Sequence, residues 1–405
     1  MAHPSSAEHE SAYAWLRLAV ALALGTIGSV GMWSFVVALP AVQADFGVPR
    51  AEASLAFTLT MIGFGFGGVV TGRLSDRFGI VLPAAGGALA IGAGYVWSGL
   101  ASNLWWFALA QGLIGFGSSA TFGPLMTDIS HWFTRRRGIA VAIASCGNYL
   151  AGTIWPPIIQ YFIATEGWRA TQQGIGLLCV VTMLPLVLAL RRRVPAHATE
   201  LAGETAVAAR GSLGVSSNTL MTLLCVAGVA CCVAMSMPQV HIVAYCGDLG
   251  YGPARGAEML ALMMGFGIVS RLIAGFIADR IGGLTALLIG SALQGVALFL
   301  YLWFDGLTSL YVISALFGLF QGGLVPMYAI IVREYFSPQE AGMRLGVVLM
   351  ATLFGMALGG WMSGEIFDLT GSYRVAFLNG GLWNLLNVAV VVWLMLRSQR
   401  RAAYA

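Results

Sequence analysis

Arg271 is the residue whose chemistry stands out first. It lies inside MGFGIVSRLIAGFIADRIG, the apolar stretch from Met264 to Gly282 that closes on Asp279 and Arg280. A helix rises 1.5 Å per residue, so Arg271, nine residues before Arg280, sits about 13 Å inside that end. This is close to the middle of a hydrocarbon core of roughly 30 Å. A guanidinium at that depth costs at least ~2.5 kcal/mol and normally faces a partner or a watery cavity. The partner is either a buried acid or a ligand. Asp128, Glu258, Glu365 and Asp368 all fall near the ends of apolar runs. An anionic ligand therefore fits better, because the planar fork of arginine matches a carboxylate with two parallel hydrogen bonds.

Other polar and aromatic residues in apolar runs extend this candidate binding set. Trp33 follows Thr26 and Ser29 at helical spacing, giving one polar-aromatic stripe. Tyr328 shares a helix face with Gln321, seven residues earlier, and Asn148 opens a glycine-flanked run. An aromatic wall with one arginine suits a small organic anion, although the same side chains could simply pack between helices. His241 lies within an apolar run and could titrate near neutrality to couple protons, or hydrogen-bond a neighbouring helix.

Some patterns carry less. Gly115-Phe-Gly117-Ser-Ser-Ala120 matches G-x-G-x-x-A, but no strand precedes it, so helix packing is the better reading. The six cysteines (Cys146, Cys179, Cys225, Cys231, Cys232 and Cys246) fall in apolar runs without metal-ligand spacing and read as packing residues. All 21 basic residues are arginine, which excludes a P-loop lysine and a Schiff-base lysine. No catalytic constellation, metal site or cofactor site is expected, and no nucleic-acid partner.

The elements that must position these residues are membrane helices. The 405 residues are 58% hydrophobic and 9% charged, against about 25% charged in a soluble domain. Hydropathy and turn residues predict twelve spans near 18–40, 53–72, 81–101, 104–127, 138–163, 171–190, 219–246, 257–278, 284–303, 307–332, 345–367 and 375–396. With both termini cytoplasmic, 16 arginines lie on the inner side and 4 (Arg50, Arg169, Arg255, Arg374) outside, leaving Arg271 over. The N-terminus has no basic region before its apolar segment, so a cleaved signal is not expected.

The chain repeats itself. Gly72-Arg-Leu-Ser-Asp76-Arg77-Phe-Gly79 and Gly275-Phe-Ile-Ala-Asp279-Arg280-Ile-Gly282 share G-x-x-x-D-R-x-G at an offset of 203 residues. Gly115 and Gly318 keep that offset, as do Trp132-Phe133 and Tyr335-Phe336. The aspartate is expected to cap the next helix and pair with arginine, and the glycine to allow tight packing. Two six-helix bundles, 1–190 and 219–405, joined by a polar linker at 191–218, follow from this parallel repeat.

In these features the chain resembles the major facilitator superfamily. That resemblance implies an all-α fold of twelve transmembrane helices in two pseudo-symmetric bundles, with Asp76, Arg77, Asp279 and Arg280 in its gating motif. Trp132-Phe-Thr-Arg-Arg-Arg-Gly138, the glycines through Gly152, and Gly167-Trp168-Arg169-Ala170 resemble the monocarboxylate porter family more closely. So does Met237-Pro-Gln-Val-His241 with Asp248-Leu249-Gly250. Arg271 matches that family's eighth-span arginine, which implies a role in holding the substrate carboxylate. The family also lines its cavity with aromatics from the first and tenth spans.

Two positions depart from the family pattern. Mammalian members place an aspartate where Gly267 stands, and a lysine in the first span, where Trp33 and Ser34 lie. Oxalate–formate exchangers add an eleventh-span lysine, and Leu349 to Gly355 contains no cation. The implied function is proton-coupled symport of a small monocarboxylate, by a monomer in the plasma or inner membrane. An organic-anion exchanger and a non-transporting membrane sensor are the alternatives.

Overall fold

A computed structural model describes residues 11–133, 136–192, 215–336 and 338–402. Arg135, Arg193 and Arg210 lie outside the described residues, as do the side chains of Arg137, Asp279, Arg400 and Arg401. Among the described residues there are helices and no strand. They run α1 (Ala12–Gly28), α2 (Val30–Phe46), α3 (Arg50–Phe78), α4 (Val81–Leu100), α5 (Leu104–Ser119), α6 (Gly123–Trp132), α7 (Arg137–Ser145) and α8 (Gly147–Glu166). They continue as α9 (Trp168–Leu188), α10 (Ser217–Asp248), α11 (Pro253–Ile281), α12 (Gly283–Trp303), α13 (Leu307–Gln321), α14 (Leu324–Tyr335), α15 (Pro338–Thr370) and α16 (Tyr373–Ala402).

Eleven segments of the described chain are long and apolar enough to cross a membrane. The fourth expected span is delivered as two shorter helices, α5 and α6. There the amides of Ala120, Thr121 and Phe122 bond the carbonyls of Gly117, Ser118 and Ser119, three residues back, at 3.1–3.2 Å. That 3₁₀ turn carries the chain from α5 to α6 with these three amides paired. The first span likewise breaks at Ser29, the fifth at Cys146 and the tenth at Gly322 and Gly323. The break at Ser29 interrupts the stripe expected from Thr26 to Trp33.

The chain divides into two compact units, Met1–His197 with Gly252–Ala261, and Ala198–Tyr251 with Leu262–Ala405. In the first, α3 packs along α5 and α4 along α9; in the second, α10 packs along α15 and α16. Lipid offers apolar side chains as good an environment as a neighbouring helix, so close backbone approach must supply the packing. Gly115 lies so close to Thr60 that a Cβ there would overlap its carbonyl, and Gly318 stands in the same relation to Met263. The helix-packing reading of Gly115 is thus the one the fold uses. Gly355 and Gly359 do the same against Val229 and Val233.

The repeated loop motif works differently from expectation. Its last glycines, Gly79 and Gly282, have φ of 82° and 83°, a backbone region where a side chain is strained. They end α3 and α11. A Cβ at the first glycines, Gly72 and Gly275, would meet open space, so tight packing is not their role. Asp76 does not cap α4, whose start at Ile80 carries no side-chain cap. At the matching place α12 is capped from another helix, since Gly283 N–H donates to Glu334 at 3.0 Å.

Candidate substrate-binding residues

Arg271 lies on α11, ten residues before its end at Ile281, or roughly 15 Å along the helix. Phe266, Val269, Leu272, Ile273 and Phe276 form an exposed apolar stripe on this helix. At 100° per residue Arg271 projects about 160° away from the centre of that stripe. It shares the opposite side with Met264 and Ala278, both buried. Its side chain is partly buried.

What Arg271 meets there is the break between α13 and α14. Its Nε donates to the carbonyl of Gly322 at 3.3 Å. The preceding residue, Ser270, accepts the Gly323 N–H on its Oγ at 3.0 Å. Two consecutive α11 side chains thus satisfy both ends of one peptide group, that joining Gly322 to Gly323, which a lipid-embedded helix cannot leave open. The approach is close because both sides are small: a Cβ on Gly322 would overlap Gly267, and one on Gly323 would overlap Ala274. Gly267 is the position where the resembled family carries an aspartate. Here its lack of a side chain lets the helices touch.

Gln321 closes α13 immediately before this break and is fully buried. Neither its amide nitrogen nor its oxygen has a hydrogen-bond partner among the described residues. A buried unpaired amide costs ~1–3 kcal/mol per group, so water or a ligand is needed to complete it. Tyr328, two turns further on, is also fully buried, but its hydroxyl is engaged. It donates to Asn387 Oδ1 at 3.1 Å, and Asn387 Nδ2 donates to Ser291 Oγ at 2.7 Å. Tyr328 therefore has no free hydroxyl to offer.

In the first unit Trp33 and Asn148 come together. The indole Nε1 donates to Asn148 Oδ1 at 3.0 Å and to its carbonyl oxygen at 3.1 Å. The contact joins α2 to α8 just past the break at Cys146. Two turns along, Trp155 Nε1 donates to the Thr26 carbonyl at 2.9 Å. A shallow apolar groove of about 360 Å³ lies alongside, lined by Ala19, Leu22, Ala23, Thr26, Ile27, Leu150 and Ile154.

His241 is fully buried in α10. Its Nε2 lies 2.8 Å from the Gly360 carbonyl, an obligate acceptor, so Nε2 carries hydrogen. Nδ1 lies 2.9 Å from the Tyr373 hydroxyl and, in the neutral ring, accepts from it. The imidazole thus bridges α15 and α16. Asp76, Arg77 and Arg280 are exposed; Arg77 lies 5.3 Å over the Phe78 ring and Arg280 4.2 Å over Phe276.

The sequence reading missed two groups. Arg17 is one of the 16 arginines that the layout places on the inner side, yet it is buried and paired with Asp128. Each is the charged residue at one end of its span, and that was the available signal. Ser270, beside Arg271, was not singled out; only its adjacency to the arginine marked it.

Residues 21–313 and 259–404 match the profile of the Major Facilitator Superfamily. The chain belongs to that superfamily. Within it, the chain is 29% identical over 385 residues to monocarboxylate transporter 13 of Bos taurus, covering 92% of this chain and 86% of the relative. To human monocarboxylate transporter 11 it is 26% identical over 390 residues, covering 92% and 81%. Among solved structures it resembles the nucleoside transporter NupG, with a TM-score of 0.76 at 13% identity over 94% of this chain and 99% of that one. A bacterial homologue of the human lysosomal transporter Spinster superimposes with a TM-score of 0.70 at 15% identity, covering 96% of both chains. This major facilitator chain is a multi-pass membrane transporter rather than an enzyme, with the all-α superfamily fold that its repeat implied.

Proposed function

We propose that the protein carries small monocarboxylates of the lactate and pyruvate type, by alternating access and in symport with protons. The observation that supports this most directly is the position of Arg271. A guanidinium midway along a membrane helix, turned from the apolar stripe and set at a helix break, suits capture of one carboxylate. Its monocarboxylate transporter relatives point the same way. A second carboxylate on the substrate would need a second buried cation, so monoanions are favoured.

In this reading Gln321 completes its amide on the bound acid with Tyr328 on the same helix pair, and Trp33 and Asn148 are assigned as substrate contacts of the first unit. His241, hydrogen-bonded to the Tyr373 hydroxyl, is the group assigned to proton coupling. Asp76, Arg77, Asp279 and Arg280 serve the gate. The working unit is a monomer in the plasma or inner membrane, with both termini cytoplasmic and bundles 1–190 and 219–405 joined by 191–218.

Uptake of radiolabelled lactate, pyruvate and acetate into proteoliposomes tests the reading, with and without an imposed gradient acid outside. Uptake of at least one acid should rise with the gradient. Arg271→Ala and Arg271→Lys should cut it about ten-fold or more, as expected for losing a charge-assisted contact. Normal uptake by correctly inserted Arg271→Ala would refute carboxylate capture at this position.

A further inference from the structure

We infer that Ser270 is a positioning residue for transport, fixing the break in the tenth span so that Arg271 and Gln321 address the same ligand. The assignment rests on the reading of Arg271 given above, and adds a residue that neither the motif nor the family resemblance marks.

The repeat supplies the comparison. At the offset of 203 residues, Ser270 and Arg271 correspond to Gly67 and Gly68, and Gly322 and Gly323 correspond to Ser119 and Ala120. The small residues have changed sides. In the first unit the break is closed by its own backbone, with the amides of Ala120, Thr121 and Phe122 turned to carbonyls three residues back. Gly67 there leaves no room for a side chain, because a Cβ would meet Ser119 Oγ at 2.5 Å. In the second unit the glycines have moved into the break, and α11 supplies the missing partners. Ser270 Oγ takes the Gly323 N–H at 3.0 Å, and Arg271 Nε holds the Gly322 carbonyl at 3.3 Å.

Two glycines in sequence give this break a permissive backbone, and the clamp restrains it. The residue immediately before the clamp is Gln321, whose buried amide has neither donor nor acceptor satisfied among the described residues. One hydroxyl thus sets the backbone from which that amide projects, and sits beside the guanidinium. In the first unit α3 reaches the break side chain to side chain, Thr71 Oγ1 to Ser119 Oγ at 3.4 Å, and among the described residues no α3 side chain is hydrogen-bonded to a peptide group there.

Ser270→Ala removes the hydroxyl without adding volume, Ser270→Cys keeps volume with a poor acceptor, and Ser270→Thr keeps an acceptor oxygen. In full-length protein in proteoliposomes, Ala and Cys should raise KM for the transported acid about ten-fold, the scale of one net hydrogen bond. Maximal velocity should stay within about two-fold, and Thr should return KM to near the wild-type value. Hydrogen–deuterium exchange of the purified, ligand-free proteins should show amides of residues 319–327 exchanging about ten-fold faster in Ala and Cys, and protected again in Thr. Wild-type KM in Ser270→Ala, exchange unchanged by it, or Thr as impaired as Ala would each overturn the assignment. If the wild type moves none of lactate, pyruvate and acetate, the monocarboxylate reading falls. The exchange comparison then still decides whether Ser270 fixes the break.

Discussion

Arg17 and Asp128, 111 residues apart, form a two-pronged ion pair: Nε reaches Oδ2 at 2.7 Å and the second terminal nitrogen reaches Oδ1 at 2.8 Å. The remaining nitrogen donates to the Tyr13 hydroxyl at 3.0 Å and to the carbonyls of Leu190 and Arg192 at 3.1 Å. The guanidinium also lies 4.8 Å over the Trp132 ring. With Arg17 only 1% exposed, one cation gathers the start of α1, the end of α6 and the chain leaving α9. All three nitrogens of the fork are engaged and both carboxylate oxygens are met, the kind of geometry such a buried pair needs to hold.

Removing one partner should therefore be far worse than removing both. Arg17→Leu or Asp128→Leu alone leaves a charge in a site built for its opposite, and should cost about 3–5 kcal/mol. The double variant Arg17→Met with Asp128→Leu should recover most of that loss. Thermal unfolding of purified protein in detergent measures the comparison. A double variant no more stable than the worse single one would show that the pair is not the source.

The glycine contacts predict a graded response. Gly115→Ala and Gly318→Ala each drive a methyl into a carbonyl across a helix crossing, and should lower stability by about 1–3 kcal/mol. Gly72→Ala meets open space inside a helix, where alanine is preferred over glycine by ~1 kcal/mol, so it should not destabilise. Parallel thermal melts of the three variants check the order.

Much of this was readable in the sequence, and what escaped has a physical reason. Hydropathy sees length and polarity, so it located the spans but not the breaks in them. The break at 120–122 arises from amides turning to carbonyls three residues back, and Gly123-Pro124, which opens α6, was the signal that hydropathy passes over. Arg271 was legible because an isolated cation in an apolar run is expensive. Arg17 was not, because an arginine at the end of a span is what the positive-inside rule expects whether it faces water or an aspartate. The repeat located the D-R-x-G turns correctly, but which glycine does the work depends on φ, which no pattern of letters prints. Trp33 and Asn148 were chosen separately and turned out to be hydrogen-bonded to each other.

His241 gives a prediction about coupling. Its Nε2–H is held by the Gly360 carbonyl, so the exchangeable position is Nδ1, facing the Tyr373 hydroxyl. His241→Gln should abolish the rise in uptake caused by an acid-outside gradient while leaving equal-concentration exchange of labelled acid intact. Tyr373→Phe should weaken the same response, since it removes the hydroxyl from Nδ1. Gradient-driven uptake that survives in His241→Gln would assign the imidazole to joining α15 and α16 alone.

Tyr328 separates the work of a ring from that of a hydroxyl. Its hydroxyl ends a chain that passes through Asn387 to Ser291, and Asn384 Nδ2 donates to the Ser291 carbonyl at 2.9 Å beside it. Tyr328→Phe leaves Asn387 Oδ1 without that donor and should cost about 1–2 kcal/mol of stability. Because the hydroxyl already serves α16, substrate has no claim on it, and KM should stay within about two-fold. Tyr328→Ala also removes the ring, opening space against Gly228, whose Cβ position lies 3.9 Å from a ring carbon. That variant should lose both stability and uptake. A Phe variant with strongly raised KM and unchanged melting would instead place the hydroxyl on the substrate.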